Sequence, residues 1–265
     1  MDARLLPVLA LLLGIAAGAA RAHDTWFSPG REAALELVTG NRYPVQEFGP
    51  TAASLARAGC SDGTAPEVPL RPVRELPQRL ELAPDPGDAV LSPLSCWAEL
   101  HAAEIEIEPP LVQVYLQEIR APATTRTAWA QLQQRGLPWR ERYAKFARIE
   151  LAGESPAGAG RLAAARRPLG LPLEIVILGD QPVATGRPVS FQVLRDGRPL
   201  AGFPVELVSE RNALGVWRET DGDGMLRHRL PFAGRWLLRG TDLRTSVERV
   251  GEWESRFVTL ALEAR

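Results

Sequence analysis

Short apolar runs, each ended by glycine, proline or a charged turn, recur through the C-terminal third of the chain and constrain its fold most. Their spacing is typical of short strands joined by tight turns, and the turn signals are Asp196–Pro199 and Asp221–Gly224. This pattern predicts an antiparallel β-sandwich of immunoglobulin or transthyretin type, in which each turn joins two paired strands. The runs lie at 173–178, 189–194, 205–208, 217–220, 225–230, 234–238 and 257–262.

The N-terminal half is also β-rich, with strands expected at 33–38, 79–82 and 95–100. It also contains a few helices. Pro109-Pro110 begins the first, because proline suits the first turn and Val112, Tyr115, Leu116 and Ile119 then form one apolar face. A second helix is predicted from about Thr125 to Gly136. A further helical turn is expected after Pro138, carrying Trp139, Tyr143 and Phe146.

These patterns divide the chain into four parts. Residues 1–22 resemble a cleavable signal peptide, and residues 23–152 form a β-rich domain with two helices. Residues 153–172 are rich in glycine, alanine, proline and arginine, which predicts a linker or long loop. Residues 173–265 form the C-terminal immunoglobulin-like β-sandwich. The fold class expected for the whole chain is therefore mostly β, with antiparallel β-sandwich domains.

The first 22 residues carry the sequence features of export. An apolar run from Leu5 to Ala20 is followed by Ala20-Arg21-Ala22, a small-x-small cleavage pattern. An uncleaved N-terminal anchor is the alternative, but the run is short for a membrane span. We therefore expect a periplasmic protein without stable membrane insertion after cleavage. The chain's net charge of −1 argues against a nucleic-acid partner.

The two cysteines of the chain, Cys60 and Cys96, are expected to form one disulfide. An even number of cysteines in an exported chain favours this pairing. The alternative, a thiol metal site, needs reduced cysteines, which an oxidising compartment opposes.

His23 is the main candidate for a functional residue, because cleavage after Ala22 would place a free α-amine on a histidine. The amine and a ring nitrogen can chelate one metal ion, and such nitrogen ligands favour copper, then nickel, then cobalt. Asp24 is the second candidate, as an oxygen ligand or as an acceptor that orients the imidazole. The alternative is an arbitrary N-terminal residue that binds metals only adventitiously.

Other candidates have simpler interpretations. His228 shares a strand face with Leu226 and Leu230, which is typical of a core histidine, and His101 ends a predicted strand. Asp221–Gly224 lacks the length and terminal glutamate of a calcium-binding EF-hand loop, which favours a hairpin turn. The alternating acids Glu104, Glu106 and Glu108 are typical of a solvated strand face.

Several short motifs, taken in order, resemble the DUF4198 family of exported proteins, which carries the label of nickel- or cobalt-uptake association. The resemblance implies a periplasmic protein built from β-sandwich units, without a catalytic residue that can be transferred. The motifs are His23–Phe27, Gly40–Glu47, the alternating stretch Trp139–Arg148, Leu173–Val176, Thr220–Gly224 and Gly234–Arg239.

Three functional hypotheses follow. The leading one is a non-enzymatic periplasmic protein that binds a divalent transition metal through His23 and Asp24 and assists metal uptake. Its partner would be a metal-uptake membrane component or another envelope protein. The second is a β-sandwich binding or scaffolding module for an envelope protein or glycan. The third is a copper enzyme in which His23 and a second histidine, His101 or His228, supply three nitrogens.

Overall fold

The computed structural model describes residues 23–30, 34–64, 67–85, 94–151 and 159–265. The signal peptide predicted over 1–22 and residues 153–158 of the predicted linker lie outside these residues. The three helices are α1 (Pro109–Glu118), α2 (Ala123–Gln134) and α3 (Ala159–Ala165). The strands are β1 (Asp24–Pro29), β2 (Leu35–Gly40), β3 (Leu55–Ser61), β4 (Val68–Leu76), β5 (Arg79–Pro84), β6 (Ser95–Leu100), β7 (Ala103–Ile107), β8 (Trp139–Glu150), β9 (Leu173–Leu178), β10 (Pro188–Arg195), β11 (Arg198–Pro199), β12 (Pro204–Ser209), β13 (Asn212–Glu219), β14 (Met225–Arg229), β15 (Gly234–Thr245) and β16 (Trp253–Ala264).

The predicted fold class is confirmed at the level of a mostly β protein with a few helices, arranged as a sandwich. The larger sheet has the order β1-β2-β5-β4-β3-β6-β8-β16-β15-β12-β13, and β7 pairs with β8. The smaller sheet is built around β10, which pairs with β9, β11 and β14. All pairs are antiparallel except β8 with β16, which is parallel.

The two sheets enclose the main apolar core. Ile175, Phe191 and Leu226 of the smaller sheet face Leu238 and Leu260 of the larger one, and all five are buried. Burial of such alternating apolar residues is the main stabilising contribution expected in a sandwich.

The opposite face of the larger sheet is covered in two places. At one end the larger sheet folds back on itself, so that its strand β1, with β2 and β5 beside it, lies over β8 and β16. There Trp26 and Leu37 pack with Leu237 and Ala261. At the other end α1 and α2 lie over it. There the stacked rings of Trp139 and Trp253, with centroids 4.5 Å apart, join the helices to the sheet.

The helices after Pro109 and near Thr125 are present as α1 and α2, but the helical turn expected after Pro138 is wrong. That segment is strand β8, in which Trp139 and Glu141 are buried while Arg140 and Arg142 are exposed. This alternation has the period of a strand. Pairing with β16 on one side and with β6 and β7 on the other satisfies the backbone and outweighs the helix-starting preference of proline.

The expected pairing of strands across the two tight turns is also wrong. The turn at Asp196–Gly197 returns only into the two-residue strand β11, after which β12 joins the larger sheet. The Asp221–Gly224 turn likewise connects β13 of the larger sheet to β14 of the smaller one. The Asp196–Gly197 turn thus stays within the smaller sheet, and the chain changes layer after β11 and again across the Asp221–Gly224 turn.

The C-terminal part of the predicted linker is folded. Helix α3 is followed by Arg166, whose guanidinium donates to Glu150 at 2.6 Å and also to the carbonyls of Gly179 and Gln181. Strands from both sides of the linker share the larger sheet through the pairing of β8 with β16. The division into domains at 153–172 stays a prediction.

The predicted disulfide between Cys60 and Cys96 is present and joins β3 to β6. Both cysteines are buried in the core beneath β1 and β2.

Candidate functional site

His23 is held at the start of β1. The next residue, Asp24, pairs with Gly40 of β2, so the backbone directly after His23 belongs to the sheet. The His23 Nε2 atom lies 2.9 Å from Oε2 of Glu47, and the imidazole packs edge-on against Phe48 with ring centroids 5.2 Å apart. The His23 side chain is 16% exposed, so the surrounding residues restrict its position.

The segment carrying Glu47 is fixed against β2. The backbone N–H groups of Glu47 and Phe48 both donate to the carbonyl of Thr39, at 2.9 and 3.1 Å. The N–H of Thr39 in turn donates to the carbonyl of Phe48. This returning loop contains the cis peptide bond between Tyr43 and Pro44. The backbone therefore presents the Glu47 carboxylate to His23.

Asp24 points into the protein, away from the solvent. Its carboxylate accepts a hydrogen bond from Nη1 of Arg239, and Arg239 also donates through Nε to Glu206 at 2.6 Å. Burial disfavours the charged guanidinium, but Asp24 and Glu206 outweigh this effect and raise the pKa of Arg239. The arginine thus joins β1 to β12 through β15.

These groups belong to a central polar strip, which we define as Asp24, Glu206, Arg239, Thr259 and Lys145. The strip crosses the larger sheet between the layer of β1 and β2 and the layer of α1 and α2, since Arg239 pairs with Thr259 and Lys145 with Phe257. At its centre the hydroxyl of Thr259 donates to the carbonyl of Thr25 at 2.6 Å. The central polar strip therefore lies between the apolar cluster beneath β1 and β2 and the apolar cluster beneath α1 and α2.

Of the two cations in the central polar strip, Lys145 has a lowered pKa, whereas Arg239 has a raised one. Its Nζ lies 5.5 Å from the ring centroid of Tyr143 and 5.9 Å from that of Phe257. Burial lowers the pKa of Lys145 to about 8, although the negative charge of Asp24 acts in the opposite direction. The aromatic faces supply weak cation–π stabilisation.

A second buried carboxylate, Glu141, lies on the same strand nearer the helices. It accepts hydrogen bonds from Tyr115 Oη at 3.0 Å, Trp139 Nε1 at 2.8 Å and the hydroxyl of Ser255. Burial raises the pKa of Glu141, and the three hydrogen bonds counter part of this effect. All of these donors come from the residues that hold α1 against the sheet, which is the arrangement of a structural anchor.

The remaining sequence candidates lie on other elements of the fold than β1, which follows His23. His101 is exposed beyond the end of β6, and His228 lies on edge strand β14 of the smaller sheet. Glu104 and Glu106 are exposed on β7 and pair with Arg249 and Arg140. Within the described ranges, no group of three or more His, Cys, Asp or Glu side chains is arranged to hold a metal ion.

Sequence reasoning missed Glu47 as a partner of His23, and Arg239 and Lys145 as members of the strip. Glu47 lies in one of the motifs that carry the family resemblance, but nothing in its spacing indicates that it contacts a residue 24 positions earlier. Arg239 and Asp24 are 215 positions apart, and no local pattern joins them.

The family comparison decides the membership of this chain. The model of a domain of unknown function, DUF4198, matches residues 101–241, which is more than half of the chain. The chain belongs to the DUF4198 family. The matched segment contains all three described helices and strands β7 to β14, and it ends two residues after Arg239.

The other comparisons add little to DUF4198 membership. One solved structure, a tetra-tandem repeat in the extending region of a large adhesion protein, is similar at 9% sequence identity with a TM-score of 0.21. The comparison covers 91% of this chain and 49% of that one, so the chain spans about half of that structure's length. The search of curated proteins found no match.

Among the residues that the structure describes, no helix is long and apolar enough to cross a membrane.

Proposed function

We propose that this DUF4198 protein is an exported, periplasmic, non-enzymatic protein that binds a late divalent transition metal at the amino terminus formed by His23. The single observation that carries the proposal is the contact of 2.9 Å between His23 Nε2 and Oε2 of Glu47. The backbone on either side of this contact is held by pairing with β2. This contact supports a defined position for the imidazole of His23, the residue at which signal cleavage is expected to leave a free amino terminus.

The donor set suits chelation. The α-amine created by cleavage and Nδ1 of the same residue form one chelate ring, and both are nitrogen ligands. If Nε2 donates its proton to Glu47, the lone pair of the imidazole lies on Nδ1. A carboxylate that accepts from the second ring nitrogen is the usual partner of a metal-bound histidine.

In this proposal Glu47 orients the imidazole of His23, whereas Asp24 has a structural role. Its carboxylate is bound to Arg239, so it anchors the strand that begins directly after His23. A site with two chain nitrogens leaves other coordination positions open. Open positions suit transfer of the metal to a partner, for which a metal-uptake membrane component is the proposed class.

The test is calorimetry with copper, nickel and cobalt on protein whose His23 amino terminus has been verified by mass spectrometry. We expect affinity to fall in the order copper, nickel, cobalt. His23→Ala should lose the binding, and Glu47→Gln should weaken it about 10–100-fold, because the amide is a poorer acceptor for the imidazole proton.

Two controls make the result specific. One extra residue before His23 keeps the imidazole but displaces the amine, and it should weaken binding about as much as His23→Ala. His101→Ala, which removes an exposed histidine elsewhere, should bind as the wild type does. Equal binding by the wild type and His23→Ala would exclude the proposed site.

A further inference from the structure

A second site lies at one edge of the sandwich, where an edge strand of the larger sheet meets an edge strand of the smaller sheet. β13 is an edge strand of the larger sheet and β14 of the smaller one, and the Asp221–Gly224 turn joins them. Beside them lies a cleft of about 500 Å³, which we name the edge cleft. It is lined by Pro188, Arg218, Arg227, His228 and Arg229.

The edge cleft concentrates positive charge without a matching negative charge. Arg218 donates to the carbonyl of Trp217 and Arg229 to that of Gly186. In the described part of the chain, no carboxylate forms an ion pair with Arg218, Arg227 or Arg229.

The contrast with other arginines shows what is unusual here. Arg166 and Arg239 each bind carboxylates that satisfy their charge within the protein. The chain as a whole is slightly acidic, with a net charge of −1. Three arginines without a carboxylate partner therefore line one cleft in a protein that is not basic.

His228 lies within this field. Burial, and then the charge of Arg218, lower the pKa of His228. The facing stretch of β10, Pro188–Gln192, contains no charged residue, and the charge that acts on the imidazole is that of Arg218 on β13. A bound anion would offset this repulsion and favour the protonated imidazole, which makes His228 a reporter of the cleft.

We propose that the edge cleft binds a doubly charged oxyanion of the phosphate-monoester class. Guanidinium groups present planar pairs of N–H donors that match phosphate oxygens, and three of them can neutralise two negative charges. The volume lies within the range of about 300–1,000 Å³ that is typical of small-molecule sites. The exposed ring of Pro188 offers an apolar rim for the group that carries the phosphate.

This site is independent of the one proposed at His23. Arginines on edge strands also discourage pairing with other chains, a role that needs no ligand. The experiment must therefore detect saturable binding and separate it from general attraction of anions to positive charge.

The first measurement follows the His228 imidazole resonances by NMR while inorganic phosphate is added at constant ionic strength. Wild-type protein should show saturable shifts and a raised His228 pKa. The variant Arg218→Gln with Arg227→Gln and Arg229→Gln should bind at least about 100-fold more weakly, since each charged hydrogen-bond partner is worth about tenfold. Sulfate, which does not titrate near neutral pH, should behave as phosphate does.

The matched control removes three exposed arginines elsewhere, Arg126→Gln with Arg135→Gln and Arg142→Gln, so that the net charge changes equally. This control should bind phosphate as the wild type does. Circular dichroism and thermal unfolding verify that both triple variants are folded. The single variant Arg227→Gln, at an exposed position, repeats the test with the smallest change and should weaken binding about tenfold.

Co-sedimentation with vesicles of phosphatidylcholine, with and without phosphatidic acid, distinguishes a membrane-borne phosphate from a free one. Binding of both sources, or of either alone, supports the proposal if the edge-cleft variant loses it and the control variant keeps it. A response that does not saturate, or equal losses in the two triple variants, overturns it.

Discussion

Arg239→Met tests whether the central polar strip holds β1 on the larger sheet. Methionine keeps much of the apolar stem of arginine but removes the guanidinium that binds Asp24 and Glu206. The two carboxylates are 7% and 11% exposed, so the variant leaves two largely buried negative charges without a partner.

The expected cost follows from this burial. Removal of one partner from a buried ion pair typically costs about 3–5 kcal/mol, because the remaining charge stays desolvated. The Arg239 side chain is itself 22% exposed, and solvent therefore screens part of the interaction. We expect the free energy of unfolding to fall by about 3 kcal/mol near neutral pH.

Urea unfolding followed by tryptophan fluorescence measures this change, and the chain has seven tryptophans. Arg244→Met is the matched control, because Arg244 lies on the same strand but is 45% exposed and pairs with Asp242 at 3.0 Å. We expect that exposed pair to contribute no more than about 1 kcal/mol.

If the central polar strip holds β1 on the larger sheet, Arg239→Met must lower the free energy of unfolding more than Arg244→Met does. An Arg239→Met protein no less stable than Arg244→Met would refute the view that the strip fastens β1.

Two further predictions concern stability. Lys145→Met should stabilise the protein near pH 7 by about 1–2 kcal/mol, below the upper limit of about 3 kcal/mol set by a pKa lowered to about 8. The unfolded lysine holds its proton more tightly than the folded one, so the wild type becomes more stable as the pH rises from about 8 to 10.5. The stabilisation produced by Lys145→Met, measured by urea unfolding, should therefore be smaller near pH 10 than near pH 7. A larger stabilisation near pH 10 would contradict the lowered pKa of Lys145. Replacing Cys60 and Cys96 together by alanine opens a loop of 36 residues and should cost about 4 kcal/mol. Thermal unfolding measures that loss, and reduced wild type should match the variant.

The sequence predicted those parts of the fold that depend on neighbouring residues. The apolar face after Pro109 predicted α1, and the run at 173–178 predicted β9, because side-chain periodicity follows directly from backbone geometry. The pairing of Cys60 with Cys96 followed from the cysteine count and the expected compartment. The segment after Pro138 failed this local reasoning, because its strand is stabilised by partners that lie far away in the chain.

The candidate sites show the same division. His23 was recognised from the expected cleavage position, but its partner Glu47 depends on a loop that returns to β2. The edge cleft had no sequence signal, because Arg218 and Arg229 lie on strands of different sheets and line one cleft only when the sandwich assembles.

By itself, then, the sequence determined the β class, the disulfide, the family resemblance and the position of His23. Only the tertiary structure decided which sheet each strand joins, and with it the contacts of Asp24 with Arg239 and the meeting of three arginines at one edge. The physical reason is that periodicity and turn chemistry act over a few residues. Ion pairs and clefts depend on strand order and register, which are set by burial of the whole core.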